Sequence, residues 1–180
     1  MKRILLIEDN PSQGNKTMRV IEELPDMFKV NLVCFNFMTQ NGDRRETQQT
    51  KIINHIEKEI KNDSFDILMI DMLLGGDSTD DPLGLEIIKS LIHQLNQKTI
   101  IVYTEMASRR LDLVKEYNQS INNKLIIVPK PNSFVNLLQT DICEMKYKQS
   151  RESHGKKCNL TSCDSKTKLQ CAMECIYYSI

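Results

Sequence analysis

The chain carries no excess of either charge: Lys+Arg and Asp+Glu each number 24, so the formal net charge is zero. That balance excludes wholesale attraction to nucleic acid or to an anionic membrane surface. No helix-turn-helix pattern or basic stripe is visible, so direct contact with nucleic acid is not expected. Long apolar runs are also missing, and no membrane insertion is expected. The start, Met1-Lys2-Arg3-Ile4-Leu5-Leu6-Ile7-Glu8-Asp9, lacks the apolar length and small-residue cleavage site of a signal peptide. These absences lead us to expect a soluble cytoplasmic protein. What remains is 40% hydrophobic content in 180 residues, which suits one ordinary domain with an appendage.

The apolar residues fall in short runs. Phe65-Asp66-Ile67-Leu68-Met69-Ile70-Asp71 is mostly apolar, ends in a lone carboxylate and is followed by Gly75-Gly76-Asp77. Such a run suits a strand buried on both faces, in the middle of a parallel sheet. Residues 3–7, 29–37, 99–104 and 124–129 read as further strands. Between and after them, apolar residues at helical spacing predict helices over 12–24, around Ile52-Ile53-Ile56-Ile60, over 85–95, around Leu111-Val114-Tyr117, and over 134–145. Residues 38–49 read as an exposed loop. Cys34 and Cys143 read as buried or half-buried core residues. The fold class is therefore α/β, a doubly wound five-stranded parallel sheet. Right-handed crossovers bring the carboxyl ends of all strands to one rim, where open α/β sheets bind ligands.

Polar residues stand at four of those strand ends: Glu8 and Asp9, then Asp71, Thr104 and Lys130. Three carboxylates in one pocket raise each other's pKa unless a cation is present. Carboxylate oxygens with water are the ligands Mg²⁺ prefers.

The segments Ile7-Glu8-Asp9-Asn10, Ile70-Asp71-Met72-Leu73, Val102-Tyr103-Thr104 and Val128-Pro129-Lys130-Pro131 occur in this order within residues 1–146. In that order they resemble the receiver domain of two-component response regulators. The resemblance implies a flavodoxin-like sheet of order 2-1-3-4-5. It implies Asp71 as the phosphoacceptor, loaded from a phosphohistidine on a histidine kinase or phosphotransfer protein. It also implies Mg²⁺ held by Asp9, Asp71 and the backbone carbonyl of Leu73, with Glu8 assisting. Lys130 would supply charge to the phosphoryl oxygens, and Thr104 a hydroxyl that follows the phosphoryl group once it arrives. The Lys130–Pro131 bond would be cis; a trans proline opening the next helix is the alternative. Output would pass through contacts with an unidentified downstream protein, with no enzymatic activity beyond the domain's own phosphorylation. A receiver-like interaction domain that is not phosphorylated is the alternative function. An aspartate-nucleophile phosphatase is disfavoured, because Leu73 and Pro11 stand where such enzymes need a second Asp.

Several positions depart from the family pattern. Gly75 replaces the usual Pro four residues after the phosphorylated Asp, and Gly84 is the expected match for a Gly usually found eight after it. The loop 74–83 is long and carries Asp77, Asp80 and Asp81, which read as a solvated run, with a second cation site as the alternative. Glu105 replaces a small residue after the switch Thr. Ile127 replaces an aromatic three before the Lys. Tyr103 alternates with Thr104 along its strand and is expected to point to the other face. Leu73 and Met106 flank the path of a hydrolytic water in receivers, and neither can orient one, so a long-lived phosphoryl group is expected.

Residues 147–157 are polar and read as a linker to a Cys-rich tail, 158–180. Cys158, Cys163, Cys171 and Cys175 could close a tetrahedral Zn²⁺ site. Their spacing is not the C-x2-C of common zinc ribbons, and free or disulfide-forming cysteines are the alternative.

Overall fold

Alternation along short apolar strands builds this protein. The computed structural model describes residues 1–35, 45–76, 82–104, 125–130, 169–170, 173–174 and 176–177. Strands β1 (Lys2–Glu8), β2 (Phe28–Cys34), β3 (Ile67–Asp71), β4 (Thr99–Thr104) and β5 (Leu125–Pro129) form one sheet of order β2-β1-β3-β4-β5. Every neighbouring pair is parallel. That order is the flavodoxin-like variant of the doubly wound fold. Helices α1 (Pro11–Glu22), α2 (Arg45–Lys61) and α3 (Leu83–Leu91) supply the described crossovers.

Successive strand residues face opposite sides of the sheet, so one sequence feeds two cores. Leu5, Ile7, Leu68, Ile70, Ile100 and Val102 join Ile52 and Ile56 of α2 and the buried stripe of α3. Ile4, Leu6, Ile67, Met69, Ile101 and Tyr103 join Val20 and Ile21 of α1. Burial on both faces explains why the middle strands read as continuous apolar runs.

Local signals fix the element ends. Asn10 is extended, and its side chain accepts from the backbone N–H of Ser12 at 3.0 Å and of Gln13 at 3.3 Å. Pro11 follows in the first turn, where its missing N–H costs nothing. At the opposite edge from the rim, Arg3 pins β1 to β3. Its backbone N–H donates to Asp66 Oδ2 at 2.7 Å and its Nη2 to Asp66 Oδ1 at 2.9 Å. Lys98 adds bonds to Asp63 Oδ1 at 2.6 Å and the Phe65 carbonyl at 2.8 Å, just before β4 begins.

Three expectations change. Helix α2 starts at Arg45, so the last residues of the expected 38–49 loop are helical and Gln48 is buried. The first turns of α2 are polar, and the apolar rhythm that marks a helix begins only at Ile52. Cys34 is exposed at the end of β2, not a core residue. The third change concerns the tail. Leu169, Met173 and Ile176 are buried in the α1-side core, at helical spacing. Gln170 Nε2 donates to Glu23 Oε2 at 2.9 Å, and the Tyr177 ring meets Phe28 edge-on at 5.4 Å. This segment thus gains its stability from the sheet's own core. The expected helices over 111–117 and 134–145 and the 147–157 linker lie outside the described residues. So do Cys143, Cys158, Cys163, Cys171 and Cys175, and with them the Zn²⁺ question. Among the described residues, no helix is long and apolar enough to cross a membrane.

If Leu169, Met173 and Ile176 belong to the core, Met173→Ala should cost about 2–5 kcal/mol of unfolding free energy. Glu174→Ala should stay within about 0.5 kcal/mol of the parent. Urea unfolding of both variants reads this, and equal small effects would detach the segment from the fold.

Candidate functional site

The ends of β1, β3 and β5 converge as the sheet order requires, and they bring Glu8, Asp71 and Lys130 together. All three are buried, at 0%, 2% and 6% relative exposure. Lys130 Nζ lies 2.8 Å from Asp71 Oδ2 and 2.9 Å from Glu8 Oε2. Ligand oxygens of Glu8, Asp9 and Asp71 all lie within 4.8 Å of one another. Of the residues expected to act together, the structure therefore unites Glu8, Asp9, Asp71 and Lys130. Thr104 ends β4 and pairs in register with Pro129. The side chain of Thr104, together with Asp77, Asp80, Asp81, Glu105, Met106 and Pro131, lies outside what the structure describes.

The three carboxylates differ in their partners. Glu8 Oε1 accepts the backbone N–H groups of Asp9 and Asn10, each at 3.1 Å. Its Oε2 accepts from Lys130 and from the hydroxyl of Tyr103 at 2.5 Å. Both oxygens of Glu8 are thus engaged by the protein. Asp9 is half-buried and accepts the Gly75 N–H on Oδ2 at 2.8 Å. Asp71 accepts the Leu73 N–H on Oδ1 at 3.2 Å and Lys130 on Oδ2 at 2.8 Å. Glu8 meets four of these donors, Asp71 two and Asp9 one, so Asp9 and Asp71 keep more acceptor capacity, and the cluster could hold a metal ion.

Two glycines shape the loop beyond β3. Gly75 sits at φ 86°, a left-handed conformation that favours glycine. Its N–H reaches Asp9, a contact a proline at this position could not make. A Cβ at Gly84 would fall 2.0 Å from the Asp71 carbonyl oxygen. The start of α3 therefore packs directly on the backbone of the rim aspartate, and no side chain fits there.

Burial and charge then divide the titrations. Burial pushes Asp71 up to about 7; Lys130 opposes the shift and Glu8 adds to it. Asp9 rises to about 6, through burial and its proximity to Glu8. Burial pushes Glu8 upward too. The bond to Asp9, the Lys130 charge, the Tyr103 hydroxyl and the Asn10 amide outweigh it, and Glu8 lies below its usual 4.5. Burial lowers Lys130, but Asp71 and Glu8 overcome this and raise it, so it remains a cation. The site holds one fixed anion, one fixed cation and two carboxylates poised to ionise when positive charge arrives.

Tyr103 is the member the sequence reading set aside. Glu8, Asp71 and Lys130 occupy the same sheet face as Tyr103. Glu8 follows Leu6, Asp71 follows Met69 and Lys130 follows Val128, each by two residues, and all three apolar residues line the α1-side core with Tyr103. Tyr103 is also the in-register partner of Asp71. Parity counted from Asp71, rather than from Thr104, would have placed it in the site.

No family model matches the chain, and neither does any curated protein. Similar solved structures include two that match most of it. One is the RcsB response regulator of Salmonella typhimurium, whose structure concerns conformational dynamism for DNA interaction. It is 20% identical with a TM-score of 0.47, over 94% of this chain and 66% of that chain. This chain thus spans just under two thirds of the RcsB chain. The other is a response regulator protein from Burkholderia multivorans, 14% identical with a TM-score of 0.43, over 88% and 99% of the two chains.

The raised carboxylates make stability depend on pH. Asp9 and Asp71 bind protons more tightly folded than at their ordinary 3.8. Their contribution is fully present below about pH 4 and lost as pH rises through about 6 to 7. The lowered Glu8 acts in the opposite sense, and only as pH falls below its usual 4.5. Metal-free protein should therefore resist urea better at about pH 5 than at about pH 8, and Asp71→Asn should flatten much of the difference. A parent protein equally stable at both would contradict this electrostatic account.

Proposed function

We propose that this chain is a receiver-type signalling module that accepts a phosphoryl group on Asp71. The observation that carries this reading is Lys130, ion-paired to Asp71 beside Glu8 and Asp9 at the carboxyl rim of the sheet. A buried carboxylate next to a fixed cation is what phosphoryl transfer to oxygen needs: an anionic nucleophile with its product charge met in advance.

In this mechanism an Asp71 carboxylate oxygen forms a bond to phosphorus while the bond from phosphorus to the donor imidazole nitrogen breaks. The imidazole keeps the bonding electron pair and the product is an acyl phosphate. Asp9 and Asp71 would hold Mg²⁺, which supplies charge neutralisation when bound. Lys130 gives its ammonium to the phosphoryl oxygens, and Thr104 its hydroxyl. A histidine kinase or phosphotransfer protein in the cytoplasm is the donor, and output passes through protein contacts. Apart from its own phosphorylation, the module catalyses nothing in this reading. The second reading is a receiver-like interaction domain that is not phosphorylated. It is favoured by the burial of Asp71 and by its raised pKa, which in the metal-free protein leave less carboxylate for attack.

Acetyl phosphate with Mg²⁺ should add one phosphoryl group by intact mass, and Asp71→Asn should abolish the gain, since an amide cannot attack as a carboxylate does. Lys130→Ala should slow loading by roughly a hundredfold. No gain in the parent protein selects the second reading.

The lifetime of the phosphorylated form provides a separate measurement. The side chain of Leu73 is half-buried against the α3-side core and offers no group to a hydrolytic water. Slow loss of the phosphoryl group is expected, and Leu73→Asn with Met106→Glu should accelerate it by giving water polar partners. Decay after donor removal reads this. Loss within seconds in the parent, unchanged by the pair of substitutions, would overturn it.

A further inference from the structure

Phosphoryl transfer as described leaves Tyr103 without a role. Its side chain is fully buried, and its hydroxyl ends on Glu8 Oε2 at 2.5 Å. A buried phenol needs an acceptor, and any carbonyl would satisfy it. Here the acceptor is the carboxylate that holds Lys130. Lys130 Nζ approaches the same Glu8 oxygen at 2.9 Å and lies 5.1 Å from the centre of the Tyr103 ring. Tyr103 therefore meets this pair twice, through its hydroxyl and through its ring face.

Glu8 is held from two sides. The Asp9 and Asn10 amides take one oxygen, while Tyr103 and Lys130 share the other. The amides fix where Glu8 Oε1 sits. The Tyr103 hydroxyl sets which way Oε2 points, because Lys130 is itself drawn to Asp71 at 2.8 Å. Without the hydroxyl, Oε2 can turn and Lys130 loses its fixed second carboxylate.

We infer that Tyr103 is a positioning residue, whose hydroxyl orients Glu8 so that Glu8 fixes Lys130 beside Asp71. This arrangement commits both oxygens of Glu8 to protein donors, while Asp71, though paired to the same lysine, and Asp9 keep more acceptor capacity for a cation. What the positioned lysine then does rests on the receiver reading; the positioning itself does not.

Tyr103→Phe removes one oxygen and keeps the ring in the core. The first readout is the side-chain ammonium signal of Lys130 by proton–nitrogen correlation NMR, assigned by its loss in Lys130→Arg. A buried ammonium held by two carboxylates exchanges slowly and should give such a signal in the parent protein. It should broaden or vanish in Tyr103→Phe and, from the other end of the chain of contacts, in Glu8→Gln. The second readout is loading by acetyl phosphate with Mg²⁺. Tyr103→Phe should load roughly tenfold more slowly, the size expected for one hydrogen bond to a charged group. In the Glu8→Gln background the same change should add little, because it acts through Glu8. An unchanged Lys130 signal in Tyr103→Phe, or no such signal in the parent, overturns the inference. So do independent, multiplying effects of the two substitutions. If the parent takes up no phosphoryl group, the receiver reading falls, and the ammonium signal alone decides the role of Tyr103.

Discussion

One buried ammonium group organises the rim. Lys130 stands between Glu8 and Asp71, with almost no solvent to share the charge. Two carboxylates this close would not both ionise in an apolar setting without it. A buried ion pair seldom adds much net stability, since desolvation offsets the attraction. Its value here is arrangement. β5 must lie beside β4, and β3 beside β1, for the lysine of one strand to reach the acids of two others. The order β2-β1-β3-β4-β5 meets that condition, and the pairing of β4 with β5 carries Lys130 into place.

Around this pair the local details have a common direction. Gly84 brings the start of α3 against the Asp71 backbone, and Gly75 turns its N–H towards Asp9. Both contacts come from backbone, which cannot swing away as a side chain can. The acids are thus presented by a rigid frame, and the one flexible long side chain in the cluster, Lys130, is tied at its charged end.

Much of this was legible in the sequence. Continuous apolar runs announce strands buried on both faces, and the rim acids stand where those runs stop. What the sequence hid has physical reasons. The start of α2 is polar and lacks apolar rhythm, so Arg45 to Gln49 resemble a loop. Tyr103 looks like core because its ring is core, although its hydroxyl and one ring face also meet the site. The final segment seemed too small to build a core of its own. A count of local apolar residues cannot reveal that Leu169, Met173 and Ile176 complete a core begun by residues far away in sequence.

That distance has a consequence for how the chain is made. Gln170 bonds the carbonyl of Val20 across a separation of 150 residues. During synthesis the strands emerge in order, but the part of the α1-side core that Leu169, Met173 and Ile176 complete stays open until those residues have left the ribosome. Contacts so distant in sequence also close slowly, because a large loop must be ordered first. The nascent protein therefore passes through a stage with part of one apolar face still open to water. Such a surface is what chaperones bind and what aggregation starts from.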